Sequence, residues 1–432
     1  MMKRIMKHRH VVIATMISSC LSVGTVQCVA AGEEKTTEEK QLAEQWKKHV
    51  VRQLNKDAAE TKIIAQGQIL TESWNRAVAV PYITYMPEID RLIMLINCDY
   101  DGDPYIHDAM VLFSDDHGTT WSDPQYIHTN AKGKSDTGMG YALTYLGAGK
   151  LMLYTWHPHV RWFSTDYGKT WGDTVPFESP RSGRDLYPWD PALVDRDPVT
   201  GKVTRIAETG YTGSDDRLTS QGHIRFSTDE GRTWSKAISA PEWYGVNEIH
   251  TVRAQNGDIV ATCRTDPPEE YKEYRFDHYE GLGVCISKDN GYTWSKINQL
   301  HDWGRHHASL TMLPNNDILM TYTVRMGFPD TDDGYPQFGV EGVISRDHGE
   351  TWDLDNRYIL TSWAGNRKNV SDPAQKLEAG AWMSGSQSTS TVVFPDGSIL
   401  TAYGTAYRAE EKGWEPYYGP RDIGLVKWNI DQ

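Results

Sequence analysis

Glu248 and Arg264 bracket NEIHTVRAQNGDIVATCR, an apolar run, an Asn-Gly turn and a second apolar run. Read as a β-hairpin, the stretch puts the carboxylate at the start of one strand and the guanidinium at the end of the next, at one end of the sheet. A carboxylate there can give or take a proton, and the planar fork of Arg suits a substrate carboxylate. The plainer reading is a cross-strand ion pair with no further role. Arg325 ends DILMTYTV in a comparable position. Asp99 and Asp101 follow RLIMLINC. Asp101 is the candidate acid, because a carboxyl between apolar walls keeps its proton to higher pH; an Asp-Gly turn residue is the competing reading.

Equivalent strand ends along the chain add Trp156, His157 and His159, then Trp189, Asp190 and Glu208, then His250, His306 and His307, and finally Tyr407 and Arg408. Of these, His157, Asp190, His250, His307, Tyr407 and Arg408 are the candidate substrate contacts. A structural protein has no need for so many ionisable groups at one face, although a single His at a strand end is more often a satisfied hydrogen-bonder. His157-Pro158-His159 raises metal binding, since alternate strand residues share a face, but no third ligand is visible and no metal or other cofactor is expected.

The elements that must position these groups follow from a repeat. Ser-x-Asp-x-Gly-x-Thr-Trp occurs five times, as SDDHGTTW from Ser114, STDYGKTW from Ser164, STDEGRTW from Ser227, SKDNGYTW from Ser287 and SRDHGETW from Ser345. Each box follows an apolar run, a turn, a second apolar run, a polar loop and a third run. The turns QNGD, PNND and PDGS carry hairpin chemistry. Six such units, of roughly 50–60 residues each, predict an all-β, six-bladed β-propeller over residues 63–432. TKIIAQGQIL, ahead of the first unit, is expected to supply the outer strand that closes the last. Within a box, Asp bonds the turn backbone, Gly takes positive φ and Trp packs on the neighbouring blade. The boxes then lie at the face opposite Glu248 and Arg264, as clasps rather than catalysts.

The N-terminus reads differently. MMKRIMKHRH is basic, the next 21 residues are mostly apolar and small, and GEEKTTEEK follows, the layout of a signal peptide over residues 1–31 with cleavage after Ala30 or Ala31. A lipid-anchor reading at Cys20 is weakened by the apolar stretch behind it. No other segment approaches the ~20 apolar residues of a membrane span, so an exported protein is expected. Residues 32–62 are charged, and Leu42, Trp46, Val50 and Leu54 at four-residue spacing predict one amphipathic helix. Cys98, Cys263 and Cys285 make no disulfide framework or zinc spacing. A net charge of −14 over 432 residues argues against a nucleic-acid partner. The abundance of Trp and Tyr over Phe suits both strand packing and sugar binding.

The five boxes on this layout resemble the bacterial sialidase superfamily, whose propellers carry such Asp-box repeats, and the likeness covers nearly all of residues 64–432. The resemblance implies an arginine triad holding a substrate carboxylate, an Asp acid/base, and a Tyr nucleophile assisted by a Glu. Glu248 looks like that Glu, Arg264 and Arg325 like two of the arginines, and Asp101 like the acid/base. Two positions depart from the pattern. Ala79-Val80-Pro81 stands where the family has Arg-Ile-Pro, with Arg76 three residues earlier as a substitute. Ser388 stands where the Tyr is implied, with Tyr403 and Tyr407 on the other side of that hairpin. The expected partner is therefore a glycan and the expected activity an exo-acting glycosidase releasing a terminal acidic sugar. A binding propeller without catalysis, a glycosidase of other specificity and a lyase remain as alternatives.

Overall fold

A computed structural model describes residues 46–74, 76, 78–98, 108–178, 186–213, 219–270, 279–325, 337–364, 388–405 and 421–430. The signal-peptide reading of residues 1–31 therefore lies outside the described residues.

The described chain is built from short antiparallel strands. Before the first repeat come β1 (Lys47–Gln53) and β2 (Thr61–Ile69). The first blade is β3 (Val78–Met86), β4 (Arg91–Cys98), β5 (Asp108–Ser114) and β6 (Gln125–Tyr126). The second is β7 (Gly140–Gly147), β8 (Lys150–Thr155), β9 (Val160–Ser164) and β10 (Gly172–Pro176). The third is β11 (Leu193–Arg196), β12 (Val203–Gly213), β13 (Ser220–Ser227) and β14 (Ile238–Tyr244). The fourth is β15 (Val246–Arg253), β16 (Ile259–Thr265), β17 (Gly281–Ser287) and β18 (Asn298–His301). Then follow β19 (Arg305–Met312), β20 (Ile318–Val324), β21 (Gln337–Ser345) and β22 (Tyr358–Ala364), with β23 (Thr389–Val393), β24 (Ile399–Gly404) and β25 (Ile423–Trp428) last.

Four blades stand as separate four-stranded sheets. The expectation of six separate blades is corrected, because the remaining strands form one nine-stranded sheet in the order β19-β20-β21-β22-β1-β2-β25-β24-β23. Its two halves are blade-like runs of four strands, and β1 joins them edge to edge. As read from the sequence, β2 is the fourth strand beside β25, with Gln66 opposite Lys427 and Ile69 opposite Gly424.

The helix expected across residues 32–62 is also corrected, since Lys47–Gln53 is a strand. It pairs with β2 along its whole length and with β22 at Arg52 and Gln53. The edge of β2 offers a backbone partner to every residue of the segment and that of β22 to its last two, and this outweighs a helical stripe. Val51, not Val50, is the buried residue, packed with Val340 and Leu360.

Apolar clusters fill each junction around the ring. Ile93 packs with Trp171, Met152 with Ile206, and Ile224 with Ile259 in successive clusters. Val260 then shares a cluster with Met320, Leu319 with Val426, and Leu400 with Leu92, which closes the circle. Each such side chain, once buried, contributes roughly 1.5–3 kcal/mol. No helix among the described residues is long and apolar enough to cross a membrane.

The five boxes share their Ser, Asp and Gly geometry, and four of them share the indole bond, Trp294 Nε1 having no hydrogen-bond partner among the described residues. In the first, Asp116 accepts from the Thr120 N–H at 2.8 Å and the Thr120 hydroxyl at 2.7 Å. Ser114 Oγ accepts from the Gly118 N–H at 2.8 Å, and the Trp121 indole donates to the Gly118 carbonyl. The residue before each glycine and the glycine itself both have positive φ, for example His117 at 55° and Gly118 at 82°. That is the primed turn whose twist matches a hairpin. The glycines also abut the preceding blade: a Cβ at Gly349 would lie 2.7 Å from both γ-methyls of Val260. The boxes are clasps between blades.

Candidate functional site

The innermost strands β3, β7, β11, β15, β19 and β23 surround a cavity of about 410 Å³ whose walls include Tyr82, Thr144, Asp190, His250, Ser309 and Thr389. At the end of the ring away from the boxes, four of these strands break register in the same place. Val80, Ala142, Glu248 and His307 are each the third residue of their strand, and each has positive φ, at 53°, 56°, 41° and 52°. The ladders shift there between Ala79 and Tyr82, Tyr141 and Thr144, Asn247 and Ile249, and His306 and Ser309. A bulge re-aims a side chain, and a non-glycine residue in the left-handed region is strained. In two strands that position carries an apolar group; in the other two it carries the carboxylate and the imidazole of the candidate site.

Glu248 is buried, and Arg264 donates to its Oε1 at 2.8 Å. The hairpin thus delivers both groups to one end, with Asn247 opposite Arg264 in the ladder. Arg264 Nε also pairs with Glu280, a residue the sequence reading overlooked although it stands directly before an apolar strand. Burial works against ionisation of Glu248, but Arg264, ahead of His307 and Arg325, outweighs it and its pKa is lowered. Arg325 is likewise buried at the end of β20, its backbone N–H bonded to the Gly304 carbonyl.

His307 links the site to the neighbouring blades. The Trp189 indole donates to His307 Nε2 at 2.8 Å, which makes that nitrogen an acceptor and leaves the ring proton on Nδ1. Nδ1 faces Glu248 Oε2 at 3.6 Å, and Nε2 lies 3.9 Å from Asp190 Oδ1. The Tyr82 hydroxyl donates to the Trp189 carbonyl at 2.6 Å and so fixes the turn that carries both Trp189 and Asp190. Asp190 is buried, and burial first, then the charge of Glu248, raises its pKa well above the carboxylate range. The two carboxyls are thus shifted in opposite directions, Glu248 toward the ionised form and Asp190 toward the protonated one, as an acid and a base require.

Other candidates have different settings. His250 Nδ1 accepts the Leu310 N–H at 2.8 Å, and burial, then His307, lowers its pKa to about 4, so it serves as a neutral bridge along the cavity wall. His157 is exposed beside Trp156 and His159. Trp156 stacks on Tyr187 at 4.7 Å, and Tyr187 on Tyr211 at 5.3 Å, forming an aromatic bank at this face. Arg76 lines a groove of about 380 Å³ with Trp74 and Trp121. Ser388 is buried with no hydrogen-bond partner for its Oγ among the described residues. Asp99, Asp101, Tyr407 and Arg408 lie outside the described residues.

Glu208 is a correction. β12 runs on to Gly213, so Glu208 is mid-strand rather than at its end. There Arg161 and Arg225 converge on its carboxylate, and both guanidiniums lie over Phe177 and Trp234. This is a brace between the second and third blades. Among the described residues no group of three or more His, Cys, Asp or Glu side chains could hold a metal ion.

No protein-family model matches the chain. A "Xyloglucanase" from Paenibacillus sp is 28% identical over 207 residues, which is 44% of this chain and 19% of that protein. Solved structures share the fold at low identity. A protein of unknown function from Dyadobacter fermentans has a TM-score of 0.56 and 15% identity, covering 90% of this chain and all of that one. A Hadza microbial sialidase has a TM-score of 0.56 and 14% identity over 86% of this chain and 70% of that one. A leech intramolecular trans-sialidase reaches 0.54 at 12% identity, covering 82% and 68%. The fold is thus that of the sialidase-type propellers.

Proposed function

We propose that this protein is a glycoside hydrolase of the sialidase superfamily that removes a terminal acidic sugar from glycans at the mouth of the propeller channel. The observation that carries the reading is the grouping of Glu248, Arg264 and Arg325 at the unboxed end of the ring. Arginine forks can hold a substrate carboxylate, while an ionised carboxylate beside them assists displacement at the anomeric carbon. We take the two halves of the nine-stranded sheet as the fifth and sixth blades of a six-bladed ring. We read residues 1–31 as an export signal, which would bring the enzyme to extracellular or periplasmic glycans.

A second reading has its own support. Arg264 already carries two carboxylates, Glu248 and Glu280, so its charge is matched before substrate arrives. The aromatic bank of Trp156, Tyr187 and Tyr211 suits the apolar faces of neutral sugars. Together with the partial likeness to a xyloglucanase, this favours a neutral polysaccharide.

Purified residues 32–432, assayed on fluorogenic sialosides, uronides, glucosides and xyloglucan fragments with Glu248→Gln alongside, separate the two. Release from the sialoside alone, abolished in the variant, supports the first reading. Release from neutral glucans supports the second. Binding without release from any of them rejects both.

A further inference from the structure

We propose that Asp190 is the proton donor of this site, acting across His307 from Glu248. The inference deepens the glycosidase reading and rests on it. Asp190 follows Trp189 in a turn held by two bonds to other blades, Tyr82 hydroxyl to the Trp189 carbonyl and Trp189 indole to His307. Asp190 is 5% exposed and is one of the residues that wall the central cavity. Its Oδ2 has no hydrogen-bond partner among the described residues. A buried carboxylate oxygen without donors is costly, whereas a carboxylic acid can keep its O–H for a group entering the cavity. Glu248 differs in having a guanidinium partner, since Arg264 donates to its Oε1 at 2.8 Å, although its Oε2 also lacks a hydrogen-bond partner among the described residues. The two carboxyls lie at opposite edges of one imidazole, at 3.9 Å and 3.6 Å, which sets the ring between them.

In the reaction, Asp190 gives its carboxyl proton to the glycosidic oxygen as the bond from that oxygen to the anomeric carbon breaks. The leaving alcohol departs neutral. Water forms the new bond to the anomeric carbon and yields its proton to the Glu248 carboxylate. Solvent exchange then moves one proton off Glu248 and one onto Asp190, so only water and glycoside are consumed.

Leaving-group dependence tests this. Wild type, Asp190→Asn, Asp190→Glu and Asp101→Asn are each given the dinitrophenyl and the methyl glycoside of the sugar the wild type cleaves. Dinitrophenolate needs no protonation; methoxide does. For Asp190→Asn, kcat/KM on the methyl glycoside should fall about 100- to 10,000-fold, while the dinitrophenyl glycoside stays within about tenfold of wild type. Asp190→Glu, which keeps a carboxyl, should retain more methyl-glycoside activity than the Asn variant, and it serves alone if Asn impairs folding. Equal losses on both substrates, no loss on either, or the selective loss appearing in Asp101→Asn instead would overturn the proposal while leaving the glycosidase reading intact. A wild type that cleaves no glycoside overturns both.

Discussion

Glu248 and His307 occupy the same position in adjacent inner strands, each the third residue, each left-handed, with carboxylate and imidazole 3.6 Å apart. Val80 and Ala142 show that the bulge does not depend on a functional side chain. The rim supplies a strained position in four strands, and chemistry depends on which side chain occupies it. Strain of this kind persists where the surrounding structure over-determines it, here the ladders on either side of each bulge.

Ala142 gives the cleanest measure of that strain. At φ 56° an L-residue loses roughly 1–2 kcal/mol relative to the right-handed region, and glycine does not. Glycine costs about 0.4–1 kcal/mol through the unfolded chain. Ala142→Gly should therefore be between neutral and stabilising by about 1.6 kcal/mol in urea unfolding, against the usual direction for Ala→Gly in a strand. Destabilisation of 1 kcal/mol or more would mean the bulge carries little strain.

The clasp role of the boxes predicts a difference between two glycines with the same φ of 92°. A Cβ at Gly257 meets nothing within 4 Å, whereas one at Gly349 meets Val260 of the preceding blade. Gly257→Ala should cost about 1–2 kcal/mol from backbone strain alone. Gly349→Ala adds overpacking of typically 1–3 kcal/mol. Equal costs would show that the box glycine serves its turn and not the blade junction.

The strand at Lys47–Gln53 makes Val51 the core residue and leaves Val50 half-buried. Val51→Ala should destabilise by about 1–3 kcal/mol and Val50→Ala by less than half as much. A helix with Trp46, Val50 and Leu54 inward would reverse the order, so the pair of denaturation midpoints decides between the two structures.

That segment shows where sequence reading stops. Boxes, turns and apolar runs are local, and they located the blades, the closing strand β2 and the hairpin that pairs Glu248 with Arg264. The fate of residues 47–53 depends on pairing with the next strand, β2, and with the edge of β22, 305 positions away at Gln53 and Tyr358, and a helical stripe in the segment records neither. The rim bulges were hidden for a related reason, since Val and Ala are ordinary strand residues and carry no mark of positive φ. Trp189 was legible as an aromatic at a strand opening, but its bond to His307 spans 118 positions and depends on ring closure. Glu208 was misplaced because β12 continues beyond the apolar run that announced it.

Asp190 is expected to reduce stability at neutral pH. Burial first, then Glu248, raises its folded pKa above the unfolded value of about 3.9, so the folded state binds a proton that the unfolded chain releases. The stabilisation from this group is complete below the unfolded pKa and is lost as pH rises toward the folded one. Glu248, His307 and Tyr82 surround the same carboxyl and persist in Asp190→Asn, and because Glu248 acts on Asp190 and Asp190 on Tyr82, the difference between the two proteins includes these couplings. The melting temperature of Asp190→Asn minus that of wild type should be near zero or negative at pH 4 and should become more positive between pH 5 and 8. Gains in stability with losses in turnover are the usual mark of a group retained for chemistry. A difference that does not change with pH would mean that Asp190 is an ordinary ionised carboxylate in the folded protein, and the acid would have to be sought elsewhere.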